Sequence, residues 1–113
     1  MKYITAIIQP DKLQAVRQKL IEKEINLMTV SEVIGHGRQK GITQVFRGHK
    51  EAGSFLRKVK LEIAVNDEFL QPAVEAIIAG AHTGKPGDGK IFVTELLETY
   101  RIGTGETGKV AIG

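Results

Sequence analysis

A chain of 113 residues with 42% hydrophobic and 26% charged content is expected to fold as one domain around one core. It contains no Cys, which excludes disulfides and thiolate metal sites and suits a reducing cytoplasm, and its apolar stretch at Met1–Gln9 is too short for a signal peptide or a membrane span. The net charge of +3 points to an anionic partner, but only 5% aromatic residues and no Trp leave no stacking platform for single strands, so nucleic acid is not expected.

Lys2–Ile8 is rich in β-favouring residues and reads as the first strand. Asp11–Glu24 follows with Leu13, Val16, Leu20 and Ile21 on one helical face, with Pro10 and Asp11 at its start. Met28–Ile34 is a second strand. Lys58–Val65 is a third, alternating strictly between Val59, Leu61, Ile63 and Val65 on one side and Lys58, Lys60, Glu62 and Ala64 on the other. Asp67–Ala81 repeats the helical spacing through Leu70, Val74, Ile77, Ile78 and Ala81, with Asn66 as the expected cap; Pro72 is tolerable only in the first turn. Lys90–Leu97 is the last strand. The order β-α-β-β-α-β predicts an α+β, ferredoxin-like antiparallel sheet with two helices on one face. Ile on both sides of the first strand predicts an apolar second face, which an oligomer would cover.

Connections carry the functional signal. A hairpin link normally takes two to five residues, yet about twenty, from His36 to Phe55, separate the second and third strands. Residues 36–55 are therefore read as a functional loop. A Gly-rich loop at 83–90 and a Gly-rich tail at 101–113 complete the set, and the 13 Gly residues fall almost wholly within or beside these three segments. Gly84–Lys90 fits the spacing GxxxxGK, but Ile91 stands where Ser or Thr would hold magnesium and a strand follows instead of a helix, so it is no Walker A loop. Its bare backbone N–H groups suit either a tight turn or a phosphate cradle. Arg38, Lys40, Lys58, Lys90 and Arg101 all lie at loop roots, an arrangement that suits a polyphosphate or carboxylate ligand. For catalysis there is no case: His36, His49 and His82 lack metal-ligand spacing, and Ser31 and Ser54 have no activating partners.

The stretches Tyr3–Pro10, Met28–Val33, Gly35–Gly41, Arg47-Gly48, Phe55–Glu62, Thr83–Val93 and Tyr100–Glu106 resemble the PII signal-transduction family along essentially the whole chain. The motif TG-x-x-GDGKIFV after the second helix, with GRQKG opening the long loop, is the most specific part. The resemblance implies a cytoplasmic homotrimer that regulates nitrogen utilisation and binds ATP or ADP in each cleft between subunits. It assigns Thr29, Gly37, Arg38, Ala64, Gly87, Asp88, Gly89, Lys90 and a neighbour's Arg101 to the nucleotide. It assigns Gln39, Lys40, Gly41 and Lys58 to 2-oxoglutarate, with Gln39 also meeting magnesium brought by ATP. Arg47 and Glu51 would lie on the partner-binding part of the long loop, facing an ammonium channel or nitrogen-assimilation enzymes, and a membrane would be met only through such a transporter.

Four positions depart from the family pattern. Glu51 replaces a Tyr that many relatives modify, and His49 replaces a phosphorylated Ser. Phe46 replaces a common Tyr, and Gly103 replaces an Arg that meets nucleotide phosphates. These departures imply a loop regulated without covalent modification and an altered nucleotide affinity. They also motivate an alternative, a paralogue that senses nucleotide only and serves another transporter, for metal or inorganic carbon.

Overall fold

The computed structural model describes residues 1–36 and 55–113, together with the backbone of 44–46 and 49–51. Strands β1 (Lys2–Ile8), β2 (Thr29–His36), β5 (Phe55–Val65) and β6 (Gly89–Glu95) form one antiparallel sheet in the order β2-β5-β1-β6. Helices α1 (Leu13–Glu22) and α2 (Leu70–Ala81) lie on one face of it. This is the ferredoxin-like βαββαβ arrangement. Two further strands, β3 (Gln44–Phe46) and β4 (His49–Glu51), pair with each other between β2 and β5, within the segment the sequence reads as loop.

The buried face follows from the period of two. Ile4, Ala6 and Ile8 of β1 and Val59, Leu61, Ile63 and Val65 of β5 meet Val16 and Leu20 of α1 and Ala73, Ala76, Ile77 and Ala81 of α2. The helices touch backbone to backbone at Gly80, where an added Cβ would lie 2.6 Å from Val16 Cα. Only glycine permits that approach.

Several boundaries differ from the sequence expectation for identifiable reasons. β5 begins at Phe55 instead of Lys58, and β2 runs to His36, because the pairs Ile34↔Arg57, Gly35↔Leu56 and His36↔Phe55 extend the ladder. The rings of His36 and Phe55 sit 5.4 Å apart at its end. β6 stops at Glu95 because its partner strand starts at Lys2. Both helices begin late, after 3-10 turns at Pro10–Lys12 and Asp67–Phe69, which puts Pro72 in the first turn of α2, where its missing N–H costs nothing. Asn66 does not cap that helix through its side chain; its amide instead donates to the Lys109 carbonyl at 3.3 Å.

α1 ends in a Schellman motif, with Glu24 N–H bonded to Ile21 O and Ile25 N–H to Leu20 O. Glu24 occupies the left-handed position at φ 62°, where glycine is usual. Glu24→Gly is accordingly expected to stabilise the protein by about 0.5–1 kcal/mol, read as a higher denaturation midpoint at unchanged denaturant slope.

The second face is mixed, not uniformly apolar as expected. Alternation puts Tyr3, Ile7, Val33, Ala64 and Phe92 there, beside Thr29, Lys58, Lys60, Glu62 and Lys90. No helix among the described residues is long and apolar enough to cross a membrane.

Candidate functional site

The Gly-rich loop closes over the end of the sheet where β1 finishes. Gly89 sits opposite Ile8 and starts β6 with φ 115°; an added Cβ there would lie 1.8 Å from the Ile7 carbonyl oxygen. The loop is clasped internally by Asp88. Its carboxylate accepts the Thr83 hydroxyl, the Thr83 N–H at 2.7 Å and the Gly84 N–H at 3.3 Å, while the Lys85 N–H donates to Thr83 Oγ1 at 3.1 Å. A second attachment ties the loop to the sheet: Gln9 Nε2 and Lys58 Nζ both donate to the Gly87 carbonyl, at 2.8 and 3.2 Å.

The Thr83 hydroxyl, then the Thr83 N–H, hold the Asp88 carboxyl below its ordinary pKa, with smaller help from Gly84 and His82. A carboxylate with a lowered folded pKa stabilises the fold above its unfolded value of about 3.9 and loses that contribution as pH falls through the folded value. Loop closure is therefore constant near neutrality and is expected to open in acid below about pH 4. Loss of Thr83 and Gly84 amide protection over that range, abolished in Asp88→Asn, would mark the clasp by NMR.

The residues assigned to the nucleotide do not form one cluster within the chain. Gly87, Asp88, Gly89, Lys90 and Lys58 lie at the end where β1 reaches Ile8. Ala64 pairs with Tyr3, near the other end of β1, and Thr29 pairs with Glu62 on the adjoining strand. Arg101 belongs to that second end, in the segment that Lys109 ties to Asn66 and Glu68. At about 3.3 Å per residue, Ala64 lies about 17 Å from Gly89 along the strand direction, and Thr29, level with Thr5 through Glu62, about 10 Å.

Arg101 is already engaged. Its guanidinium donates to the Val110 carbonyl at 3.2 Å and to Gly113 O, and lies 3.4 Å from Glu106. Gly37, Arg38, Gln39, Lys40, Gly41 and Arg47 lie outside the described residues, as does the side chain of Glu51 in β4. Among the described residues of 36–55, the two ends, His36 and Phe55, enter the main sheet.

The structure adds residues to which the sequence gave no role. Glu62 faces the open side of the sheet between Thr29 and Thr5; it accepts the Tyr3 hydroxyl and lies 3.6 Å from Lys60. The Tyr3 hydrogen bond, then Lys60, holds the Glu62 carboxyl below its ordinary pKa, while the same bond, with burial, raises the Tyr3 hydroxyl. The alternation of β5 was the available signal for Glu62. No local signal marked Gln9, because its partner lies 78 residues away.

The comparisons agree with this architecture. The family model described as nitrogen regulatory protein P-II matches residues 1–106. The chain belongs to that family. It is 53% identical to the nitrogen regulatory protein P-II of Rhizobium etli, over 99% of this chain and 100% of that one. It is 52% identical to the nitrogen regulatory protein P-II 1 of Escherichia coli over the same shares, and 48% identical to the nitrogen regulatory protein GlnK1 of Methanosarcina mazei over 99% and 97%. Membership in P-II makes this chain a member of a family of regulators of nitrogen metabolism.

Proposed function

We propose that the protein is a cytoplasmic, homotrimeric P-II signal regulator that reads ATP against ADP in clefts between subunits. The observation that carries the reading is the separation of the Gly-rich loop from Ala64 and Arg101, which lie toward the other end of the same sheet. Held by the Gly-rich loop of one chain, a nucleotide would have to run about 17 Å along β1, from the level of Ile8 to that of Tyr3, before its base reached Ala64 of the same chain. Two copies can supply both halves: the Gly-rich loop and Lys90 of one, with Thr29, Ala64 and Arg101 of its neighbour. Lys90 and the loop N–H groups would hold phosphate oxygens through charge-assisted bonds. Arg101 would exchange its carbonyl and Glu106 partners for phosphate.

Magnesium fits as a passenger of the nucleotide. Both oxygens of Asp88 are occupied by the loop itself, so the phosphates and Gln39 would be the ligands. With magnesium and ATP in place, 2-oxoglutarate would add a carboxylate for Lys58, and the loop conformation that results would decide whether an ammonium channel or a nitrogen-assimilation enzyme is engaged.

Titration calorimetry with ATP, ADP and Mg-ATP plus 2-oxoglutarate, alongside sedimentation, tests the reading. A trimer that binds nucleotide, and binds 2-oxoglutarate only after Mg-ATP, is the expected result. A monomer that binds nucleotide at wild-type strength would overturn the shared-site arrangement. Gly103, where the family pattern has Arg, supports a second reading, a P-II paralogue that senses nucleotide alone and regulates a different transporter: among the described residues nothing lies within 4 Å of where its side chain would start. Nucleotide binding without 2-oxoglutarate binding would favour it.

A further inference from the structure

The Gly87 carbonyl has two lone pairs and two side-chain donors, and those donors differ in kind. Lys58 Nζ is a rotatable cation that any anion entering the cleft can recruit. Gln9 Nε2 is neutral, sits 0.4 Å closer by comparison of 2.8 with 3.2 Å, and offers an anion no charge to pull. Register explains why both reach the same oxygen. The last rungs of the β1 ladders pair Ile8 with Val59 on one side and with Gly89 on the other. One step further puts Gln9 between Lys58 and Asp88, directly beneath Gly87.

We infer that Gln9 is a positioning residue that keeps the Gly-rich loop in place when Lys58 leaves the Gly87 carbonyl for a carboxylate ligand. The inference rests on the nucleotide-regulator reading above and specifies how its two ligands are coupled. With Gln9 present, recruitment of Lys58 leaves Gly87 still held, so the phosphate-binding N–H groups keep their positions. Without it, Lys58 is the sole side-chain donor to the Gly87 carbonyl among the described residues. An acid can then gain Lys58 only by releasing the loop that holds the nucleotide, and the two ligands oppose each other instead of binding together. By reciprocity the loss appears in whichever ligand binds second.

The test uses the full chain and two probes, Mg-ATP alone and 2-oxoglutarate added to the Mg-ATP complex, titrated by calorimetry. Gln9→Met keeps the side-chain length and removes the donor. It is expected to bind Mg-ATP within about twofold of wild type and 2-oxoglutarate at least about fivefold more weakly, the low end of ordinary coupling between sites. Two results would overturn the inference: unchanged acid affinity in Gln9→Met, or a parallel loss of both ligands. A parallel loss would make Gln9 a support of loop shape alone. Wild type that binds ATP but no acid also overturns it while leaving the nucleotide reading intact; wild type that binds no nucleotide removes both.

Discussion

Gly89→Ala is expected to destabilise the protein by about 2–5 kcal/mol, the sum of a strained backbone and an overpacked contact. Two independent penalties meet at this residue. Its φ of 115° is a conformation that L side chains rarely adopt. Its Cβ would lie 1.8 Å from Ile7 O and 2.9 Å from Ile7 C, and both are backbone atoms of the central strand β1. No rotamer change relieves that clash, because a Cβ position is fixed by the backbone. Relief requires β6 to move away from β1, which breaks the pairs Ile8↔Gly89 and Ile7↔Lys90. The same movement shifts Lys90 and the Gly87 carbonyl, so nucleotide affinity should fall along with stability.

Gly84→Ala separates the two penalties. Gly84 also has positive φ, 83°, but among the described residues nothing lies within 4 Å of its added Cβ. It should cost only the dihedral part, about 1–2 kcal/mol. Thermal unfolding of both variants, with ATP titration of the folded protein, makes the comparison. Equal stability of the two would mean that the β1–β6 approach at Ile7 is looser than described.

Gly103→Arg is expected to strengthen ATP binding by about tenfold or more, since a charge-assisted hydrogen bond contributes about 1.5–3 kcal/mol and 1.4 kcal/mol is tenfold. The position accepts the side chain without strain. Among the described residues nothing lies within 4 Å of its Cβ, and Gly103 is absent from the set of left-handed residues around it, Gly105 and Gly108. The neighbouring cation, Arg101, must give up the Val110 and Gly113 carbonyls and Glu106 before it can serve a phosphate. An Arg at 103 carries no such prior engagement. Because the site is exposed, the gain should shrink as salt rises toward 0.5 M, where screening shortens to a few ångströms. Gly103→Gln, with a donor but no charge, should gain little. An arginine variant that binds ATP as the wild type does would remove residue 103 from the phosphate site.

Much of the fold was legible locally. The strict alternation of Lys58–Val65 defined both faces of β5, and the spacing of Val16, Leu20 and Ile77 defined the helical faces that cover it. Strand ends were less legible. Phe55–Arg57 join β5 because Ile34, Gly35 and His36 offer them partners across the sheet, and alternation within one strand carries no record of its partner's length. The β3–β4 pair was missed because three-residue strands are too short for a period to register.

The candidate site divides along the same line. The cations at loop roots made Lys58, Lys90 and Arg101 candidates from the chain itself, while the Gly-rich loop taken alone left a tight turn and a phosphate cradle open; Gly87 and Gly89 came from the family resemblance. The resemblance to the P-II family added Thr29 and Ala64. Their arrangement was decided elsewhere. Register, set by side-chain packing between strands more than fifty residues apart, places Gly89 beside Ile8 and Ala64 beside Tyr3, and so sends the two halves of the site to opposite ends of the sheet. It also brings Gln9 and Lys58 to one carbonyl and turns Asp88 inward to Thr83. Composition and spacing chose the chemistry because they act within a few residues; the sheet chose the geometry because hydrogen-bonded register is a property of pairs of strands, and no single stretch of sequence contains it.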